Sequence, residues 1–218
     1  MMAQPRPDRH EFEEFISALK EIIFSEREVE SAKIELALKS DFNIIDTFRM
    51  MDVRNANYLT QADLNEGLQQ NLRFSEFTPD DLYLLFRRFD KTNTGQLTFN
   101  DFSRAVLPFS REYASLITDR TDYYSRRTQD ASRYFNETTR YEMQAFFGVL
   151  LRKERSMEAL RLRLSARPYM NFREMFEAFN RSSAGVILVN DMRDVLAEQG
   201  FYSTERELQG LLFRLDRD

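Results

Sequence analysis

The sequence contains no cysteine, a single histidine, and few glycines or prolines. Without cysteine there is no disulfide framework, thiolate metal site or cysteine nucleophile, which is compatible with an intracellular protein. Six glycines and five prolines in 218 residues, with 31% charged residues, favour a mostly helical protein over a turn-rich β fold. The one histidine, His10, has no evident serine, acid or metal partner in the sequence, so we interpret it as a surface residue rather than a catalyst.

Long apolar runs and one-sided charge are missing as well. The first residues lead into a charged segment, and no window approaches the roughly 18 apolar residues that a membrane span requires. The net charge is −5, and basic residues are interspersed with acidic ones, so the sequence gives no sign of nucleic-acid binding. No phosphate-binding glycine loop, nucleophile elbow or HExxH motif is present. We therefore expect a soluble, intracellular, non-enzymatic protein.

Apolar residues at helical spacing dominate the N-terminal part of the chain. One stripe runs from Glu11 to about Phe24, and a second helical pattern runs from about Glu26 to Met50 without proline or glycine. The second pattern can be one long helix, or two helices if Ser40 and Asp41 form an internal cap. Further along, Thr78 followed by Pro79 predicts the start of another helix, which ends at Asp90.

The segment Asp90–Asp101, called loop 2 below, alternates oxygen-bearing side chains and ends in a carboxylate. Gly95 stands at its sixth position and the apolar Leu97 at its eighth. This pattern resembles the calcium-binding loop of the EF-hand family, which needs alternate oxygen ligands, a left-handed sixth residue and an apolar eighth residue. The resemblance implies a Ca²⁺ or Mg²⁺ site with these candidate ligands: Asp90, Thr92, Thr94, Gln96 and Asp101.

A weaker copy of the pattern, Asp52–Asp63, precedes it and is called loop 1. Arg54 puts a cation at the third position and Ala56 removes the fifth ligand, so we expect no metal there. Asn57 at the sixth position tolerates a positive φ angle. The first residues of loops 1 and 2 are 38 positions apart, which is close to the spacing of paired EF-hands, and this predicts Leu59 opposite Leu97.

A third copy, Asn180–Asp191 or loop 3, keeps Gly185 and Ile187 but lacks ligands at its first and fifth positions. We interpret it as a metal-free pairing scaffold. Asp216 follows Asn180 by 36 residues, and with Asp218 it resembles the opening of a competent fourth loop. On this basis we expect the sequence to be part of a longer protein.

The predicted fold is all-α, with two EF-hand lobes, short β pairing between loops, and extra N-terminal and central helices. The predicted segments are an N-terminal helical extension, a first hand pair, a connector, a long helical tract and a second hand pair: 1–33, 34–107, 108–137, 138–170 and 171–218.

Loops that keep their frame after losing ligands favour a structural or adaptor protein that binds a protein partner, with no obligatory cofactor. The alternative is a Ca²⁺ or Mg²⁺ sensor acting through loop 2 and the loop that begins at Asp216. The family resemblance further suggests an amphipathic helix as partner. It also suggests tubulin or microtubule-associated proteins in a cilium or flagellum, by analogy alone.

Overall fold

The computed structural model describes residues 8–215, which form ten α-helices and one two-stranded sheet. The predicted all-α fold with short β pairing is therefore confirmed. The helices and strands, in chain order, are α1 (Arg9–Ala37), α2 (Ile44–Met51), β1 (Tyr58–Leu59), α3 (Gln61–Glu66), α4 (Pro79–Phe89), β2 (Leu97–Thr98), α5 (Phe99–Val106), α6 (Arg111–Thr118), α7 (Glu137–Ser165), α8 (Phe172–Phe179), α9 (Val189–Glu198) and α10 (Glu205–Leu215). None of the helices among these described residues is both long and apolar enough to cross a membrane.

The chain divides into two compact units. One, the hand-pair unit, is Glu28–Arg155, and the other, the terminal unit, combines the chain up to Arg27 with the chain from Ser156. Helices α1 and α7 each contribute residues to both units. The five segments predicted from the sequence describe different boundaries and stay a prediction.

The second helical pattern is divided between two helices, which is one of the two expected arrangements. Helix α1 continues through Ser25 and ends at Ala37, so one 29-residue helix covers the first stripe and part of the second. The cap at Ser40 and Asp41 was predicted wrongly, because Asn43 caps α2 by accepting a hydrogen bond from the backbone N–H of Asp46 at 2.8 Å. Asp41 instead accepts the hydroxyl of Thr139 on α7.

Three helices of the hand-pair unit begin with the same Thr-x-x-Asp capping box. It is formed by Thr60 and Asp63 at α3, by Thr78 and Asp81 at α4, and by Thr98 and Asp101 at α5. In each, the threonine hydroxyl accepts the aspartate N–H while the carboxylate accepts the threonine N–H, which satisfies two backbone donors at the helix start. The predicted start of α4 at Thr78 and Pro79 is confirmed.

Strands β1 and β2 join the two hands of this unit. They pair antiparallel, with Leu59 opposite Leu97 as predicted, and both leucines are buried. After α3 the chain makes a π-helical turn at Gly67–Asn71. A Cβ on Gly67 would lie 2.7 Å from the Cα of Met51, so only glycine permits this close approach of α2.

The core of the hand-pair unit includes helices from outside the two hands. Buried side chains of α1 and α7 join those of α2–α5 in one cluster, and the outside contributors include Val29, Leu36, Met143, Phe146, Phe147, Leu150 and Leu151. Residues 108–137, predicted to be a partly helical connector, also contribute, since Ile117 and Phe135 are buried in the same cluster. Arg120 holds this segment in place by donating to the carbonyls of Ala37, Lys39 and Phe42 at the end of α1.

The terminal unit has its own core, made by α8–α10, the first part of α1 and the last part of α7. The apolar stripe predicted near the N-terminus is buried here, with Ile16, Leu19 and Ile23 each at most 2% exposed. A capping box formed by Thr204 and Glu207 opens α10.

Candidate functional site

The three loops share one backbone geometry. The fourth residue of each loop has a φ angle of 53–54° (Asn55, Asn93 and Ser183), and the sixth has a φ angle of 64–76° (Asn57, Gly95 and Gly185). The sequence predicted the sixth position but missed the fourth. Asparagine at the fourth position of two loops was the available signal, since asparagine tolerates left-handed backbone.

In loop 2 the structure brings four of the five predicted ligand residues together. The Asp90 carboxylate lies 3.2 Å from the Thr92 hydroxyl and 3.4 Å from the Thr94 hydroxyl, which in turn lies 3.4 Å from the main-chain carbonyl of Gln96. Asp90 also accepts the N–H groups of Thr94 and Gly95, at 3.0 and 2.6 Å. The two Asp90 carboxylate oxygens, two hydroxyls and one main-chain carbonyl therefore make five oxygens in an exposed loop, which is the kind of donor set that hard cations such as Ca²⁺ and Mg²⁺ bind.

Asp101, the fifth predicted ligand, accepts hydrogen bonds at the start of α5. Its Oδ2 accepts the hydroxyl of Thr98 at 2.6 Å and the N–H of Thr98 at 3.0 Å. No hydrogen bond among residues 8–215 uses its Oδ1, so one carboxylate oxygen remains available in the described structure. Asp216 and Asp218, predicted to open a fourth loop, lie outside the described residues.

Loop 1 carries a guanidinium among its acidic groups. Arg54 Nε donates to Asp63 Oδ1 and Arg54 Nη2 to Asp63 Oδ2, both at 2.6 Å, in a two-bond fork between the third and twelfth positions. The same Nη2 donates to the Thr60 hydroxyl at 3.2 Å. The sequence places Arg54 as a cation in a ligand position, but the ion pair with Asp63 was not predicted. The opposite charges at positions three and twelve could have indicated it.

Burial and pairing act in opposite directions on Asp63, whose side chain is 1% exposed. Burial alone would raise the pKa of its carboxyl, but hydrogen bonds from Arg54 and Thr60 outweigh burial and lower the pKa below its ordinary value. The hydrogen bond to Asp63 likewise raises the pKa of the Arg54 guanidinium. The ionised pair is thus the stable state of this loop.

Loop 3 is closed by neutral donors. Asp191 accepts the Ser182 hydroxyl at 2.9 Å and the backbone N–H groups of Leu188 and Ser182, which hold the pKa of Asp191 below its usual value. At its first position, the buried Asn180 Oδ1 makes no hydrogen bond within the described structure. Arg181 pairs with Glu198 on α9, outside the loop.

Other ionised groups tie α7 to the hand pair. The Arg155 guanidinium donates to both carboxylate oxygens of Asp81, the capping residue of α4, and lowers the pKa of that carboxyl to about 2. Arg88 on α4 pairs with Glu154 on α7, and both side chains are nearly buried. A helix outside the hands is therefore held against them by charge as well as by apolar contact.

The terminal unit contains an apolar cleft of about 190 Å³. Part of its wall comes from α1, where Phe15 packs edge-on against Phe172 and Phe179 of α8. The cleft is lined by Phe15, Leu19, Phe172, Met175, Phe176, Phe179, Ile187, Met192 and Leu215. The chain's own N-terminal helix thus packs against the third hand.

Acidic side chains are sparse around all three loops. Among residues 8–215, no three histidine, aspartate or glutamate side chains form a group that could hold a metal ion by themselves. A cation in loop 2 would depend on hydroxyl and carbonyl oxygens beside Asp90 and Asp101.

Comparison with known proteins agrees with the geometry of loops 1 and 2. Residues 41–107 match the family model described as an EF-hand domain pair. Over this part the chain is similar to paired EF-hands, which supports the predicted superfamily and a calcium-binding type of fold. No curated protein and no solved structure matches the chain.

Proposed function

We propose that this chain is a non-enzymatic EF-hand protein of structural or adaptor type, which binds a protein partner and keeps its shape without an ion. One observation carries the proposal: the hands are packed against helices of the same chain. In the hand-pair unit, Phe146 and Leu150 of α7 are 1% exposed within the core that contains both hands.

The covering helices matter because EF-hand sensors work by uncovering an apolar groove when the ion binds. Here α7 is held by apolar contacts and by the Asp81–Arg155 and Arg88–Glu154 pairs. In the terminal unit, α1 buries Ile16, Leu19 and Ile23 against α8–α10. An ion in loop 2 would have to displace the contacts of α7 to open a groove in the hand-pair unit.

Titration calorimetry with Ca²⁺ and Mg²⁺, beside dye binding to exposed apolar surface, tests the proposal. We expect no ion-dependent rise in dye fluorescence in the wild-type chain. Tight Ca²⁺ binding accompanied by dye binding, both lost in Asp90→Ala, would overturn the structural role.

The second candidate function is a Ca²⁺ or Mg²⁺ sensor that acts through loop 2. The cluster of Asp90, Thr92, Thr94 and the Gln96 carbonyl favours it, with Asp101 as the second anionic group. Because affinity rises with the number of charged ligands, a site with only two carboxylates should bind weakly, with a Kd of about 10⁻⁴ to 10⁻³ M. An Asp101→Glu variant lengthens the last ligand, so tighter Ca²⁺ binding in that variant supports loop 2 as a site.

The proposal also specifies the kind of partner and where in the cell the partner is found. From the family resemblance we propose an amphipathic helix, or tubulin and microtubule-associated proteins of a cilium or flagellum. Co-sedimentation of the chain with polymerised tubulin, at low and physiological salt, tests the microtubule assignment. Pelleting that saturates supports it, and a chain that stays in the supernatant at both salt concentrations excludes direct binding to tubulin.

A further inference from the structure

Loop 1 and loop 2 hold their first carboxylate in the same way. Asp52 accepts the N–H groups of the fifth and sixth residues, Ala56 and Asn57, at 2.9 and 2.8 Å, as Asp90 does in loop 2. The φ angles at positions four and six also agree between the loops. Loop 1 therefore has the backbone of a cation-binding loop although Arg54 and Ala56 replace two of its ligands.

A positive charge is nevertheless present inside loop 1. The guanidinium of Arg54 makes two 2.6 Å hydrogen bonds to Asp63, the carboxylate at the twelfth position. Asp52, at the first position, is close enough for its charge to act on the same guanidinium. The carboxylate at the twelfth position is thus bonded to an arginine side chain, and the carboxylate at the first position feels the same positive charge.

Burial makes this charge necessary. The Asp63 side chain is 1% exposed and Asp52 is 8% exposed, so both carboxylates are largely removed from water. An ionised carboxylate buried without a compensating charge is unfavourable, and removal of one partner from such a pair leaves that cost uncompensated. In loop 2 the equivalent acids are more exposed and water can solvate them.

We infer that Arg54 is the resident cation of loop 1: its guanidinium stands in for a divalent ion, neutralises the buried Asp63 carboxylate and excludes metal. The inference goes beyond the proposed adaptor function, because it assigns an internal arginine–aspartate ion pair to a loop that has lost metal ligands.

The inference predicts that removal of the guanidinium exposes a latent cation site. Arg54→Asp adds a carboxylate at the third position beside Asp52 and Asp63, which gives loop 1 three acidic groups for a hard cation. An Asp90→Ala background removes the first ligand of loop 2. Tb³⁺ is a suitable probe because Tyr58 occupies the seventh position of loop 1 and sensitises its emission, whereas loop 2 has Gln96 there.

We expect no Tyr58-dependent Tb³⁺ emission from Asp90→Ala alone, and saturable emission, displaced by Ca²⁺, when Arg54→Asp is added. A further Tyr58→Phe change should abolish that emission, which separates it from the other tyrosines. Emission from loop 1 while Arg54 is still present would overturn the inference, as would a folded Arg54→Asp variant that binds no Tb³⁺.

Thermal unfolding covers the case in which the Arg54→Asp variant does not fold without an ion. We expect a lower Tm than the background without ions and recovery of Tm, or of helical circular dichroism, with millimolar Ca²⁺. Arg54→Gln is the matched control: it also loses the guanidinium but should show little recovery. A variant that stays unfolded in Ca²⁺, or one as stable as the background without ions, contradicts the inference. These outcomes are independent of whether the chain binds a partner.

Discussion

Loops 1 and 2 have similar backbone conformations but differ in the burial and pairing of their acidic side chains. Both have positive φ angles at positions four and six, a capping aspartate at position twelve and a leucine at position eight. Loop 1 buries its last carboxylate beside a guanidinium, whereas loop 2 keeps its two acids half-buried and its other candidate ligand residues exposed. The comparison teaches that the EF-hand frame and cation binding are separable: turn geometry, capping and β pairing maintain the frame, and side-chain charges decide what occupies it.

The largest effect should come from breaking what the two loops share. Leu59 is fully buried at the β1–β2 bridge, so Leu59→Ala should lower the free energy of unfolding by about 2–5 kcal/mol. The exposed Leu38, in the same unit, is the matched control. Leu38→Ala should change the free energy of unfolding by less than about 0.5 kcal/mol. Urea unfolding measures both, and equal effects would contradict a shared strand as the central support.

The next largest effect should come from acid, which acts on the buried carboxylate of loop 1. The pKa of Asp63 is lowered from 3.8 in the folded state, so its contribution to stability is present above that pH and is lost as the pH falls below it. Asp81, with a pKa of about 2, contributes over the same window. Thermal unfolding between pH 5 and pH 2, in steps of about one unit, should therefore show a smaller acid-dependent loss for Asp63→Asn than for wild type. A loss in Asp63→Asn as large as that of the wild type would argue against a contribution of this carboxylate to stability.

Much of this fold could be predicted from the sequence, because its strongest signals are local. The Thr78–Pro79 helix start, the Gly95 turn and the opposition of Leu59 and Leu97 follow from residue type and spacing alone. The sequence allowed a break near Ser40 and Asp41 but did not fix the end of α1, because nothing between Ala37 and Asn43 is a strong helix breaker. Arg120 fixes that end from a distant segment by donating to the carbonyls at the end of the helix.

The candidate site was predictable in part for the same reason. Spacing located the ligand positions of loop 2, but the pairing of Arg54 with Asp63 depends on the folded loop, which brings positions three and twelve together. The Arg155 partner of Asp81 lies 74 residues away, beyond any local pattern.

Loss of a capping hydroxyl should have a smaller effect, and its size should be similar in the two loops. Thr60→Ala and Thr98→Ala each remove the hydroxyl that accepts the N–H of the aspartate at position twelve. Each change should lower the free energy of unfolding by about 1 kcal/mol, measured by urea unfolding. Thr60→Ser and Thr98→Ser retain the hydroxyl and should stay near wild type. A decrease in the free energy of unfolding for only one of the two alanine variants would show that the capping box does not support both loops.

The smallest expected effect comes from introducing into loop 2 the arginine–aspartate pair that loop 1 has. Thr92→Arg places a guanidinium at the third position, opposite Asp101 at the twelfth. Because this loop is exposed, the new ion pair should add only about 0.2–1 kcal/mol at low salt and less at high salt. It should also remove any heat of Ca²⁺ binding, as calorimetry would record. Thr92→Gln, which adds length without charge, should do neither, and Ca²⁺ heat that persists in Thr92→Arg would place the ion elsewhere.

Amide hydrogen exchange of the whole chain, with and without millimolar Ca²⁺, tests the central claim most directly. The amides that report are those of α1 around Leu19 and of α7 around Phe146, which pack their apolar side chains against the hands. If the hands are permanently covered scaffolds, protection of these amides is the same in both conditions. A Ca²⁺-dependent loss of protection in either helix would mean that the ion uncovers a groove and would contradict the account.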